Sequence, residues 1–308
     1  MPAEGIEHVP RPDLLTFEEI VELVSVFAAA GVTRVRLTGG EPLVRAGVPR
    51  LVGMLKRIDG IERVVMTTNA FLLARHAARL LAEGLDELNI SLDSLDVETF
   101  AKISRTVALP TVLEGIDAAR EAGFERIKLN AVVMGGVNDH EVPALVEYAA
   151  ARGAIMRFIE FMPIGTGTAW GKVHCVPTAE IRRRLALRWE FIPDPQTYGT
   201  GPARYWRAYG PELGPEGCSV GFISAVTECF CADCNRVRIT PQGGLRACLA
   251  DDHEVDLREP LRTIDDPARR IAAVTELVQR ALGAKKESHV FDITGDTVTT
   301  TRMHAIGG

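Results

Sequence analysis

The chain has 308 residues, 46% hydrophobic and 25% charged, with a formal net charge of −6 at pH 7. That length gives one large or two medium domains, and that composition excludes disordered, collagenous and low-complexity chains. No apolar run is long enough to span a bilayer, and an acidic balance gives no general attraction to nucleic acid.

Met1 to Gly5 holds neither a basic region nor an apolar core, so a cytoplasmic protein is expected, with no membrane and no nucleic-acid partner. Thr16-Phe17-Glu18-Glu19 reads as a capping box, and Ile20, Leu23, Val24 and Phe27 recur at helical spacing. A short β-branched run, Val32 to Thr38, ends in Gly39-Gly40. The pattern then predicts a helix near Val48 to Ile58, a strand over Val64 to Thr68, a helix over Leu73 to Glu83 and a strand over Glu87 to Leu92. Thr111-Val112-Leu113-Glu114 reads as a second capping box that opens a helix. A strand from Arg126 to Met134, a helix from Glu141 to Arg152 and a strand from Ile155 to Phe161 complete the series. Five strands alternating with helices mean parallel βαβ units, as an open sheet or a partial barrel. The series begins on a helix, so a barrel of this kind lacks its first strand.

Pro163 to Pro177 is rich in Gly, Thr and Pro and is the expected boundary between residues 1–164 and 165–308. Gly165-Thr166-Gly167 lacks the third glycine of a dinucleotide fingerprint and reads as linker. Arg182-Arg183-Arg184 reads as the wet face of a helix, Pro195 to Pro202 and Tyr209 to Gly217 as loops, and Asp266 to Leu282 as a last helix.

Six cysteines are too few for a disulfide scaffold, but Cys231 and Cys234 stand at C-x2-C spacing with Cys248 further on. Two such thiolates clamp one corner of a metal or cluster, and a third closes it. An iron–sulfur cluster tolerates three thiolates; a structural zinc wants four, which Cys229 would complete. Cys175 and Cys218 stand alone and read as ordinary thiols. Arg236 and Arg238 would share one face of a strand beside the cysteines, as a phosphate clamp. Polar residues also mark the strand ends of the first region: Arg36 to Glu41, Thr67 to Asn69, Ser91 to Asp93, Lys128 with Asn130, and Arg157 with Glu160 to Pro163. In a barrel of βα units, ligand sites are built from the carboxyl ends of several strands.

Taken together, Leu14 to Ile20, Val35 to Leu43, Met66 to Asn69, Asn89 to Ser94, Lys128 to Val132, Gly136 to Asp139, Arg157 to Gly165, Phe230 to Leu249 and the ending Gly307-Gly308 resemble the radical S-adenosylmethionine GTP 3′,8-cyclases of molybdenum-cofactor biosynthesis. The resemblance covers essentially the whole chain. It implies an α/β fold, a partial (β/α)6 TIM-type barrel with its first strand missing, followed by a smaller C-terminal α+β domain over its open mouth. It implies that Cys231, Cys234 and Cys248 hold a 4Fe–4S cluster whose free iron binds the guanine of GTP. Arg36, Thr67, Lys128, Arg236, Val237 and Arg238 would bind GTP; Gly40, Ser91 and Met162 would contact S-adenosylmethionine, with Gly39, Glu41 and Asn130 close by. The Gly307-Gly308 tail would reach into the active site. Cyclic pyranopterin monophosphate synthase would be the next enzyme, and a homodimer is compatible. The rival reading is a zinc- or single-cluster GTP-binding module without catalysis.

One departure matters. The family holds its first cluster on C-x3-C-x2-C at the end of the first barrel strand, followed directly by Met-Pro. This sequence opens Met1-Pro2, one residue past that motif. A second 4Fe–4S cluster is therefore expected only with a preceding segment, and a longer product is the expectation. Intact-mass measurement of the protein from its source should then exceed 33.5 kDa, with an N-terminal peptide carrying the three cysteines. A mass of 33.5 kDa would refute that expectation.

Overall fold

A computed structural model describes residues 9–162, 174–196 and 198–287. Met1 to Gly5, Gly165 to Gly167, the 164/165 boundary and Gly307-Gly308 lie outside the described residues.

The first helix, α1 (Phe17–Ala29), opens on the expected capping box. The Glu19 amide donates to Thr16 Oγ1 at 3.1 Å and the Thr16 amide to Glu19 Oε2 at 2.6 Å, so two donors that the helix leaves unpaired are met reciprocally. There follow β1 (Arg34–Leu37), α2 (Val48–Lys56), β2 (Arg63–Thr68), α3 (Leu73–Ala82), β3 (Glu87–Ser91), α4 (Val97–Ser104), α5 (Leu109–Glu121), β4 (Ile127–Val133), α6 (Val142–Ala151) and β5 (Ile155–Glu160). Two departures from the sequence reading have local causes. Helix α4 was not anticipated; Asp96 caps it by accepting from the Thr99 amide at 2.8 Å, and Arg105 ends it in the left-handed region. Helix α5 starts two residues before Thr111 because Pro110, with its φ already helical, serves as its first turn.

After β5 come α7 (Thr178–Ala186), β6 (Glu190–Pro193), β7 (Arg204–Tyr209) and β8 (Cys218–Ile223). All three strands join the first sheet, whose order is β1-β2-β3-β4-β5-β8-β7-β6. The first six members in that order run parallel, β7 runs antiparallel to β8, and β6 runs antiparallel to β7. One sheet therefore continues across the expected boundary. The Arg182 to Arg184 run is also divided: Arg183 and Arg184 grip Glu180, while Arg182 lies over the Trp206 ring at 4.6 Å. A second sheet of three short antiparallel strands, β9 (Arg238–Ile239), β10 (Gly244–Arg246) and β11 (Val255–Asp256), is followed by α8 (Arg258–Thr263) and α9 (Pro267–Gly283).

The large sheet has two unlike faces. Val64, Met66, Leu88, Ile90, Leu129, Ala131, Met156, Phe158, Val220 and Phe222 alternate onto one side and pack against Leu51, Leu55, Leu80, Ile116, Leu145 and Val146 of the helices. Each such side chain, taken fully from water, contributes about 2 kcal/mol. A second core joins Leu15, Leu23, Val26 and Phe27 to Leu245, Val255, Leu257, Val274 and Val278. Helix α1 thus serves both cores, since its Val24 packs in the first.

Gly115 of α5 lets that helix approach the backbone at Ala70: a Cβ there would lie 2.3 Å from the Ala70 carbonyl oxygen. Gly→Ala inside a helix ordinarily stabilises by about 1 kcal/mol. Here the overlap with backbone outweighs that gain, and Gly115→Ala should lower stability by about 1–3 kcal/mol in denaturant unfolding.

Candidate functional site

The other face of the large sheet is polar, because the residues that alternate onto it are Arg34 and Arg36, Thr67, Glu87, Asn89 and Ser91, Lys128 and Asn130, and Arg157. Register aligns them. Thr67 pairs with Asn89 and Asn89 with Lys128; Ser91 pairs with Asn130, Asn130 with Arg157 and Arg157 with Gly221. Gly221 is needed for this row: a Cβ there would sit 2.9 Å from Arg157 Cγ and 2.8 Å from Tyr205 Cε1.

Among the described residues of this face, Arg34, Arg36, Lys128 and Arg157 gather with the carboxylate of Glu87. Glu87 is 1% exposed and pairs with Lys128 Nζ at 2.8 Å and Arg34 Nη2 at 2.9 Å. Burial works to raise its pKa, but the hydrogen bonds and charges of Lys128 and Arg34 outweigh burial and hold it below the usual carboxylate value. Burial pushes Lys128 down to about 8 against the pull of Glu87, and the like charges of Arg157 and Arg34 add to the fall. The Lys128 ammonium also donates to the Tyr198 carbonyl. Arg157 is buried, donates from Nε to Asn130 Oδ1 at 2.8 Å and from Nη2 to Asn89 Oδ1, and is pulled below its ordinary pKa by burial. Arg36 donates to Thr67 Oγ1 at 3.2 Å. The residue is exposed at the strand end, yet desolvation within the cluster, with the charges of Arg157, Arg34 and Arg236, lowers its pKa. That last influence brings the cysteine segment and the strand face to one place.

In the cysteine segment, Cys231, Cys234 and Cys248 are half-buried and Cys229 is exposed. Arg236 is not on a strand, since β9 begins only at Arg238, so the expected common strand face is absent. The two arginines are nevertheless neighbours. Burial and the charge of Arg236 lower Arg238 to about 10, while Cys234 and Cys248 act in the other direction. The Arg236 guanidinium lies over the Phe230 ring at 5.1 Å, with Nη2 3.8 Å from Cys234 Sγ. Lys285, at the end of the last helix, donates to the carbonyls of Cys234 at 2.8 Å and Arg236 at 3.1 Å, with Nζ 3.7 Å from Cys234 Sγ. Burial works to raise the Cys234 thiol, and the Arg236 amide, the Arg236 guanidinium and Lys285 together hold it below its ordinary value. Such surroundings favour thiolate. Among the described residues, no three His, Cys, Asp or Glu side chains are gathered closely enough to hold a metal ion. The donor chemistry does suit a soft metal or cluster: three thiols in one segment, that of Cys234 lowered in pKa, with cations beside them.

The residues expected near S-adenosylmethionine lie at strand ends. Gly39 has φ 146°, a conformation that L side chains rarely adopt, with nothing within 4 Å of a built Cβ. Gly40 and Ser91 are exposed; Asn130 and Met162 are half-buried. Glu41 accepts from the Leu43 amide at 3.0 Å, Thr68 Oγ1 at 2.8 Å and the Asn69 amide at 2.7 Å, so it ties the Gly39-Gly40 turn to the end of β2. Burial raises its pKa.

Sequence reasoning noted Arg157 only as a strand-end residue, and passed over Glu87, Tyr205 and Lys285. Counting the period of two back from Lys128 and Asn130 across adjacent strands would have placed Arg157; nothing local marks Lys285.

An excess of buried cations predicts affinity for polyanions. Inorganic triphosphate should bind, and Lys128→Met should weaken it about ten-fold, the worth of one charge-assisted hydrogen bond. As pH rises through about 8, Lys128 loses its proton and affinity should fall; in Lys128→Met that step should be missing from calorimetric titrations.

Comparison with known proteins agrees with this arrangement. Residues 4–149 match the Radical SAM superfamily, and residues 154–291 match Molybdenum Cofactor Synthesis C. The GTP 3′,8-cyclase of Pseudomonas putida (strain W619) is 41% identical over 308 residues, covering 99% of this chain and 90% of its own. GTP 3′,8-cyclase 2 of Pseudomonas aeruginosa is 42% identical over 307 residues, with the same shares covered. Among solved structures, the FeFe-hydrogenase maturase HydG from Carboxydothermus hydrogenoformans is similar at a TM-score of 0.42 and 18% identity, over 50% of this chain and 38% of that one, a likeness too loose to add to the assignment. With near-full-length identity at this level, and the two matched regions in the same order along the sequence, the chain belongs to the GTP 3′,8-cyclase family of radical S-adenosylmethionine proteins.

Proposed function

We propose that this protein cyclises GTP to an isomeric 3′,8-cyclo-7,8-dihydro nucleotide: a hydrogen atom leaves the ribose C3′, C3′ bonds to guanine C8 as the C8–N7 double bond opens, and one electron from an external reductant with one proton from solvent completes the product. The observation that carries this reading is the cationic polar face, where Arg34, Arg36, Lys128 and Arg157 gather with the carboxylate of Glu87, beside a three-cysteine segment that brings Arg236 and Arg238. A triphosphate is a compact polyanion that meets several guanidinium groups at once. Arg36, Thr67, Lys128, Arg236, Val237 and Arg238 bind the nucleotide. Cys231, Cys234 and Cys248 would hold a 4Fe–4S cluster, which would supply a Lewis-acidic contact for the guanine. Gly39, Gly40, Ser91, Asn130 and Met162 line S-adenosylmethionine, with Glu41 fixing the turn.

The hydrogen-abstracting radical of such chemistry is supplied by S-adenosylmethionine with a further 4Fe–4S cluster. Cys175 and Cys218 do not fit that cluster. Burial raises both thiols, with the charge of Glu160 adding at Cys175 and Cys218 reaching about 11, and Cys175 lies in a β-bridge with Met134. The residues of this chain bind, orient and desolvate the nucleotide, and the buried cations hold its phosphates so that the ribose is presented in one pose. The product passes to cyclic pyranopterin monophosphate synthase. Among the described residues no helix is long and apolar enough to cross a membrane.

Anaerobic reconstitution with iron and sulfide should yield a brown protein, and Cys231→Ala or Cys248→Ala should lose that iron. Arg238→Glu should weaken GTP about a hundred-fold, since it both removes a cation and adds a repelling carboxylate. One colourless zinc per chain, without sulfide, would instead establish the non-catalytic module.

A further inference from the structure

We propose that Glu160 is a positioning residue for the nucleotide site: its carboxylate fixes the segment that carries the cysteines and Arg236 against the strand that carries Arg157. The proposal rests on the function proposed above. Glu160 is the last residue of β5 and has no solvent exposure. It alternates onto the helix side of the sheet, opposite to Arg157, so it does not face the ligand and acts through other groups.

Four neutral donors from two other segments converge on it. Glu160 Oε1 accepts from the Thr178 amide at 2.9 Å and from Thr227 Oγ1 at 2.5 Å. Oε2 accepts from the Val226 and Thr227 amides, each at 2.9 Å. Thr178 opens α7; Val226 and Thr227 belong to the loop that leaves β8. A side-chain contact between Thr178 Oγ1 and Ser224 Oγ at 2.5 Å joins those two segments as well. A carboxylate this far from water is tolerated only when its lone pairs are met. Here they are met by backbone that lacks partners of its own kind, because residues 224–230 form no helix or strand.

That loop runs directly into Cys229, Cys231, Cys234 and Arg236. Among the described residues its further side-chain tethers include the ion pairs of Glu228 with Arg182 and Arg204, both at 3.3 Å and all partly open to solvent. Partly exposed pairs hold a chain weakly, so the buried carboxylate decides the path. At its own end, Glu160 lies three residues after Arg157 and two before Met162. Glu160 thus ties the cationic strand to the start of the cysteine segment, whose further course is held by Lys285.

The test uses the full chain reconstituted with iron and sulfide, in wild-type, Glu160→Gln and Thr227→Val forms. Glu160→Gln keeps the size but turns one acceptor into a donor facing amides; Thr227→Val removes one donor and leaves the carboxylate. Three quantities are measured: melting temperature, GTP affinity by calorimetry, and the paramagnetic resonance of the reduced C-terminal cluster with and without GTP. Glu160→Gln should weaken GTP about ten-fold or more and lose the change that GTP causes in the spectrum, and Thr227→Val should weaken it about three-fold. A folded Glu160→Gln protein with a lower melting temperature, but unchanged affinity and spectrum, would overturn the positioning role. If Glu160→Gln does not fold, unchanged affinity in Thr227→Val overturns it. Wild-type protein that binds no GTP would overturn the underlying reading, and this proposal with it.

Discussion

The structure depends on the ion triad of Glu87 with Lys128 and Arg34. Parallel sheets are ordinarily apolar on both faces, because helices cover both. This sheet buries one face under helices and lines the other with charge. Buried charges are tolerable only when paired and hydrogen-bonded. Glu87 neutralises part of the excess, Asn89 and Asn130 hold Arg157, and Thr67 holds Arg36. Among the described residues, the cations on this face outnumber its carboxylates. A polyanion bound there would complete the neutralisation, and binding and folding free energy would then draw on the same groups.

The C-terminal region serves that face in two ways. Strand β8 extends the parallel sheet beyond β5, and its Gly221 leaves the space that Arg157 occupies. The small sheet and α9 pack against α1, whose residues contribute to both cores. Ion pairs of Arg262 with Glu19 and of Arg270 with Glu22 accompany this packing. The result is that Arg236 approaches Arg36 closely enough to lower its pKa. Like charges gather at a cost unless an opposite charge stands among them, and here the carboxylate of Glu87 pairs with Arg34 and Lys128.

Much of this was legible in the sequence. The alternation of β-branched runs with helical periodicity predicted β1 to β5 within a residue or two. The Thr16 capping box forms as expected. The polar strand ends and the C-x2-C spacing marked the regions that the tertiary structure brings together. Local signals failed where two of them competed: Pro110 overrode the Thr111 capping box, and Asp96 opened a helix too short for periodicity to reveal.

The sequence by itself determined most of the elements, the two-faced pattern of the strands and the C-x2-C pair of Cys231 and Cys234, because each of these is written in spacings of two to four residues. Only the tertiary structure decided that β8 lies beside β5, that Arg157 stands in one row with Asn130 and Ser91, that Lys285 rests on the Cys234 carbonyl, and that Glu160 ties three segments into one knot. Those are contacts between residues tens of positions apart. Their partners are chosen by sheet register and by the need of buried donors and acceptors to meet, and neither leaves a local pattern in the chain.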